Sequence, residues 1–301
     1  MTTFTITPRG PFSLAAAADF ADGFTAGIGA HATSGGILMT FPVEGWTGSV
    51  AVNVWQTGDG QVHGEIAGDG DPAQVERQVA RSLSLDHDGA GWAEIGARDT
   101  RLGDLQVRYD WLRPVCFYSA YEAATSFVIG QRIAMRQARA IKGRLTATFG
   151  DPVEIGGREV RAFPRPQRLA DLTEIQGLSS TKVARLRDLA NAASDGRLDT
   201  DRLRGLPVDA ALAELQALPG IGPWTASAVL LRGCGVADEL PIADTISRTA
   251  VKWAYGLDDL PDDETWERIA DSWRPFRMWA TVLLHMAWRR EQPATPSYRQ
   301  G

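Results

Sequence analysis

The residues best suited to chemistry lie in the last third of the chain. Leu218-Pro219-Gly220-Ile221-Gly222-Pro223-Trp224-Thr225-Ala226 closes one helical pattern and opens another. Gly220 and Gly222 permit a sharp turn and the close approach of a large group to main-chain amides. Pro223 suits the first turn of a helix, where no donor is needed. Amides at a helix start, aided by the helix dipole, bind an anion such as phosphate, and phosphate contacts carry no sequence information. A plain glycine-capped turn between two helices would use the same residues. Trp224 offers a face to a cation, or packs in the core. Asp244 falls 22 positions after Gly222, just before the helical pattern Thr245–Val251, where an aspartate is an ordinary N-cap.

Other reactive groups are sparse. His31, His63, His87 and His285 are scattered without ligand spacing, so a zinc site is not expected. Cys116 and Cys234 are too few for a disulfide framework or a cysteine-held cluster, and Cys234 reads as structural. Net charge is −6 over 301 residues, but it is segregated. Residues 1–110 carry −8, residues 111–190 carry +6 and residues 191–301 carry −4. Arg132, Arg136, Arg139, Lys142 and Arg144 make the middle a local electrostatic footprint for a polyanion, or a solvated helix face.

With 44% hydrophobic and 23% charged residues, the chain has enough apolar material for packed domains, which excludes a disordered or collagen-like chain. No apolar run approaches the roughly 18 residues of a membrane span. The start, Met1 to Ile6, lacks a signal-peptide pattern, so the expectation is a cytoplasmic, reduced protein. Strand patterns at 36–43, 49–55 and 61–68, split by Gly/Asp turns, predict an antiparallel meander flanked by helices over 13–24 and 71–84. From Arg113 the texture becomes helical. One long pattern covers Tyr121–Phe149, interrupted only by Gly130 and Gly143, and shorter ones cover 172–175, 180–193, 207–218, 224–232, 244–254, 262–272 and 275–289. No strand signal follows about residue 165, and the polar end 292–301 reads as frayed. The expected class is α+β: a small N-terminal antiparallel-sheet domain with flanking helices over 1–112, then an all-α body over 113–301 with a helix-hairpin-helix at about 207–232.

The string Leu218–Ala226, followed by Pro241-Ile242-Ala243-Asp244-Thr245, closely resembles the helix-hairpin-helix DNA glycosylases, and within them the 3-methyladenine DNA glycosylase II branch. Ile129-Gly130-Gln131, Trp273-Arg274-Pro275-Phe276-Arg277 with Leu283-Leu284-His285, and the opening Ile6–Phe12 agree with that branch. The resemblance runs over about the whole chain and is strongest over 120–290.

It implies base excision from damaged double-stranded DNA by a nucleotide-flipping mechanism. Asp244 would stabilise positive charge on the sugar and orient the attacking water. Trp224 and, one position from the family's aromatic at Ala287, Trp288 would form the base pocket. Ile129 would enter the vacated stack as an apolar wedge, beside Gln131. Gly220, Gly222, Thr225 and Arg132 would contact DNA. No cofactor is implied beyond a monovalent cation on the carbonyls of Gln216, Leu218 and Gly220. The Schiff-base lysine of strand-cutting relatives is replaced by Trp224, which implies base release alone, and the C-terminal cysteines of the endonuclease III type are absent. Thr245, Ala228 and Ala287 stand where the family has aromatics, implying a roomier pocket for bulkier purine adducts. Nothing suggests an assembly segment, so a monomer is expected. The rival readings are a glycosylase for oxidised or mismatched bases, a non-catalytic damage-binding protein, and a small-molecule enzyme.

Overall fold

Three neighbouring runs of alternating or β-branched residues, joined by short Gly-bearing turns, make the centre of the sheet, as their patterning requires. A computed structural model describes residues 2–24, 30–33 and 35–292. The first half holds β1 (Thr2–Ile6), α1 (Leu14–Phe24), β2 (Ala30–Thr33), β3 (Gly36–Pro42), β4 (Ser49–Gln56) and β5 (Val62–Gly68). The strands pair antiparallel in the order β1-β5-β4-β3-β2. Three helices follow: α2 (Pro72–Ser82), α3 (Ala90–Arg98) and α4 (Thr100–Arg108). The flanking helices α1 and α2 and the meander match the expectation. Strands β1 and β2 and helices α3 and α4 are additions. The Asp99 side chain signals the start of α4, accepting from the amides of Arg101 at 3.1 Å and Leu102 at 3.3 Å.

The body runs through α5 (Ala120–Gly130), α6 (Met135–Phe149), β6 (Pro152–Ile155), β7 (Arg158–Arg161), α7 (Pro166–Leu169), α8 (Ser180–Ser194) and α9 (Thr200–Gly205). It continues with α10 (Val208–Gln216), α11 (Pro223–Arg232), α12 (Thr245–Tyr255), α13 (Asp263–Asp271) and α14 (Arg277–Glu291). Two features depart from the local pattern. The long helical pattern over Tyr121–Phe149 breaks directly after Gly130, one of its two interruptions, in a turn at 131–134, while Gly143, the other, sits inside α6 without interrupting it. The break is held by a distant lysine, described below, which no local window could reveal. The body is also not purely helical. The β6–β7 hairpin turns on Gly156 (φ 57°) and Gly157 (φ 74°), a Gly-Gly pair between alternating residues that marks a two-residue hairpin. Its Val153 and Ile155 cover Leu38 and Ala51 on the second face of the N-terminal sheet. Residues 293–301 of the polar end lie outside the described residues.

One apolar core passes from Phe4 to Ala287 through both halves. Phe41 of the sheet stacks on Tyr118 at 4.4 Å, and Trp92 meets Trp279 edge-on at 5.6 Å. Polar groups tie the same seam. Arg113 donates to the carbonyls of Pro11 at 3.0 Å and Ser84 at 3.1 Å, and burial pulls its guanidinium down to about 10. Arg81 reaches Glu44 on one side and Asp201 at 3.1 Å on the other. No helix among the described residues is long and apolar enough to cross a membrane.

The most enclosed ion pair joins α5 to α6. Lys142 Nζ lies 2.7 Å from Glu122 Oε1, both buried, with the ammonium 5.1 Å over Phe117 and 5.2 Å over Phe163. Lys142 therefore belongs to the core and not to the basic face expected of it. Removing one partner strands the other charge. Lys142→Met is expected to lower stability in urea unfolding by roughly 3–5 kcal/mol. The double variant with Glu122→Leu should recover most of that loss, and an unaffected single variant would refute the account.

Candidate nucleic-acid interface and active site

The hairpin between α10 and α11 is built by one glycine whose backbone demands it and one that leaves room. Gly220 has φ 85°, and a Cβ there would meet Arg185 Cδ at 2.5 Å. Gly222 is different. It N-caps α11 in ordinary extended backbone (φ −88°, ψ 177°), and a Cβ would meet nothing within 4 Å. No side chain caps α11. The Trp224 and Thr225 amides, which follow Pro223, thus have no side-chain acceptor at the positive end of the helix, with space in front of Gly222.

The α5–α6 turn is bonded to this hairpin. Gln131 Nε2 donates to the Gly220 carbonyl at 2.8 Å, and Arg185 donates to Gln131 Oε1 at 3.2 Å. Lys182 Nζ donates to the carbonyls of Ile129 at 2.8 Å and Gln131 at 2.6 Å. Burial, and then the neighbouring Arg185, lower the Lys182 ammonium from its ordinary range. Lys182 and Arg185 of α8 were not singled out from the sequence, because neither stands in a recognisable motif. Arg132 lies exposed in this turn at φ 56°.

Asp244 occupies the first position before α12, half-buried. Its Oδ1 accepts from the Ile246 amide at 3.3 Å, its Oδ2 from Ser247 Oγ. Trp224 Nε1 also donates to Oδ1, at 3.4 Å. The N-cap and the chemical reading of Asp244 therefore describe one carboxylate, held by a helix start and leaning on an exposed indole. Trp224 is 44% exposed, which removes simple core packing as its explanation. Phe127 of α5 meets it edge-on at 5.6 Å. Phe127 escaped sequence reasoning. Its one signal is that it lies four residues before Gln131, on the same helix face. On α14, burial lowers the Arg289 guanidinium, and the Asp244 carboxylate acts in the opposite direction.

A tight hairpin with an open helix start, joined to a carboxylate and an aromatic face, matches a known arrangement. Residues 125–275 match the family model described as HhH-GPD superfamily base excision DNA repair protein. The chain belongs to this superfamily. A DNA-3-methyladenine glycosylase of Bacillus subtilis is 26% identical over 220 residues, 72% of each chain. DNA-3-methyladenine glycosylase 2 of Escherichia coli is 30% identical over 191 residues, 62% of this chain and 63% of its own. The 3-methyladenine DNA-glycosylase of Archaeoglobus fulgidus shares the fold with a TM-score of 0.79 at 21% identity, covering 95% of this chain and 98% of that one.

Several residues expected at the HhH-GPD site stand elsewhere. Ile129 is 1% exposed within the core, so entering a duplex would mean leaving its packing; the exposed residues of the turn that follows are Arg132 and Ala134, with Met135 40% exposed at the start of α6. Thr225 is 5% exposed, so its side chain is buried and only its main-chain amide, in the first turn of α11, is left for a DNA contact. Trp288 is half-buried and lies 6.2 Å from His285, one turn back on α14. Ala287 is fully buried and opens no extra space, whereas Thr245 is exposed and Ala228 half-buried. Of the basic run, Arg136 is exposed, while Arg144 is turned to the Gln176 carbonyl at 2.8 Å.

The two hairpin glycines should separate stability from binding. Gly220→Ala imposes a left-handed conformation and a clash, so it should lower stability by about 1–3 kcal/mol. Gly222→Ala should leave the urea midpoint in place and weaken duplex binding in a fluorescence titration several-fold, because its methyl stands before the α11 amides. Equal binding by Gly222→Ala and wild type would count against a phosphate there.

His285 gives a pH signature. Burial first, then Arg289 and Arg232, lower its imidazole to about 3. Between about pH 6.5 and 3 the unfolded chain takes up a proton that the folded chain refuses, so stability falls as pH drops through that window. Comparing urea unfolding at pH 7 and pH 5, His285→Leu should remove on the order of 1–2 kcal/mol of that loss. An unchanged slope would show that His285 does not contribute to it.

Proposed function

We propose that this chain is a DNA glycosylase that hydrolyses the N-glycosidic bond of flipped-out alkylated purines and leaves an abasic site without cutting the strand. The observation that carries the reading is the Asp244 carboxylate, oriented by the α12 amide and Ser247 beside the exposed Trp224 face.

An alkylated purine bears positive charge, which makes it a good leaving group and a ligand for an indole face. Trp224, braced by Phe127, receives the base while the α11 amides hold a backbone phosphate. As the bond to the sugar breaks, positive charge grows on the sugar. A carboxylate fixed by three donors stabilises that charge with little reorganisation. The same carboxylate accepts a proton from the water that completes hydrolysis. Names of the relatives favour 3-methyladenine as the substrate type. Release without strand cleavage is supported by the absence of lysine anywhere between Leu218 and Asp244, since a Schiff base needs an amine facing the sugar. The exposed Thr245 and half-buried Ala228 favour access for larger purine adducts, while the buried Ala287 contributes nothing to it.

A monovalent cation fits the donors at the hairpin. The Leu218 carbonyl accepts from the Ile221 amide at 3.1 Å and the Gly220 carbonyl from Gln131, which leaves each a second lone pair. Gln216 supplies a carbonyl at the negative end of α10. Such an ion would add positive charge for a phosphate.

Asp244→Asn tests the reading while keeping a competent N-cap. With N-methylated purine duplexes followed by alkali, wild type should release base and the variant should fall by at least about 100-fold with binding retained. Full activity in the variant would remove Asp244 from the chemistry. Strand breaks before alkali would show lyase activity.

A further inference from the structure

Trp224 is tied to the Asp244 carboxylate through its edge, a contact separate from the face it offers to a base. The indole stands 44% exposed, so enclosure in the core does not fix its orientation. Two contacts do. Phe127 meets the ring with 5.6 Å between centroids and 83° between planes, and Phe127 in turn rests edge-on against the buried Phe117 at 5.4 Å. The second contact is the donation from Nε1 to Asp244 Oδ1 at 3.4 Å. The donors on this carboxylate are unevenly divided. Oδ1 accepts twice, from the Ile246 amide at 3.3 Å and from Trp224, whereas Oδ2 accepts from Ser247 Oγ. An ionised carboxylate has about two lone-pair sites on each oxygen, so Oδ1 is filled and Oδ2 keeps one. Ser247 is 3% exposed and holds its oxygen from within the fold.

Resting on the glycosylase reading, we propose that the Trp224 indole N–H is a positioning group for Asp244: together with Ser247 it fixes the plane of the carboxylate, so that Oδ2 is the oxygen that meets the sugar. Rotation about the last bond of an aspartate is soft, because a torsion between a tetrahedral and a planar carbon has broad minima. One anchor leaves that rotation open. Anchors on both oxygens close it, and the Ser247 hydroxyl and the indole N–H come from different helices, α12 and α11. A carboxylate that turns out of aim costs rate and not binding, because the positive charge it stabilises appears only as the glycosidic bond breaks. The ring therefore does two separable things. Its face contributes to holding the base, and its edge contributes to the step that releases it.

The test is single-turnover base release from N-methylated purine duplexes, with enzyme concentration varied to separate the saturating rate from the half-saturating concentration. Trp224→Phe keeps an aromatic face and loses the N–H. Benzothienylalanine in place of Trp224 keeps both fused rings and exchanges only the N–H for sulfur. In both proteins the saturating rate should fall about tenfold, the low end for one hydrogen bond to a charged group, with the half-saturating concentration within about twofold of wild type. Ser247→Ala should cause a similar fall. The double variant with Trp224→Phe should lose less than the product of the two single losses, because removing either anchor already frees the same carboxylate. An unchanged saturating rate in the benzothienylalanine protein would overturn the proposal. So would a raised half-saturating concentration with the rate retained, which would make Trp224 a stacking face alone, and so would single losses that multiply. These three outcomes leave the glycosylase reading standing. Absence of base release by wild type from every methylated purine duplex would overturn that reading and this inference with it.

Discussion

The hydrogen bond from Gln131 Nε2 to the Gly220 carbonyl joins two loops that are 89 residues apart. It closes only because Gly220 has a left-handed backbone that turns its carbonyl toward α5, and because α8 braces Gln131 from behind through Arg185 and Lys182. Once those loops form one unit, the start of α11 has a fixed position relative to the end of α5. Trp224 then meets Phe127, and the indole N–H reaches Asp244. The candidate site sits at the end of this chain of contacts.

The division of labour between buried and exposed charge follows from the same packing. Lys142 and Glu122 pair in the core between α5 and α6, with the faces of Phe117 and Phe163 against the ammonium. Such a pair adds little net stability but disfavours alternative packings of α5 on α6. Arg132 and Arg136 remain on the outside of the turn. The acidic average of the chain is therefore compatible with a polyanionic partner, because the charge that matters is concentrated where the two loops meet.

Local patterns were sufficient for the meander, for α1 and α2, and for the hairpin with its helices, since each has a period or a turn residue with a direct backbone meaning. The Gly156-Gly157 hairpin was equally legible in kind but stood among helical segments, where its alternation is short. The break at 131–134 was legible only as an interruption at Gly130, with nothing local to set it apart from Gly143, through which α6 runs unbroken. Gly130 alone permits a helix to continue, and what ends α5 is a lysine on α8 taking its last carbonyls. The misplacement of Ile129 has the same origin, because a helical pattern continued through 131–134 gives no way to tell which side chain of the turn faces out.

Residue types and spacing were enough to single out Asp244 as the candidate reacting group and to carry the family resemblance. An aspartate 22 positions past a Gly-Ile-Gly-Pro-Trp turn carries that information in one dimension. Burial and mutual aim are three-dimensional quantities and follow from contacts between distant elements. They put Phe127 against Trp224, Lys142 in the core, and Arg132 rather than Ile129 on the outside of the turn. The reason is physical: a side chain's direction at a helix end depends on a single φ angle, and here that angle is held by hydrogen bonds from α8 and from the hairpin.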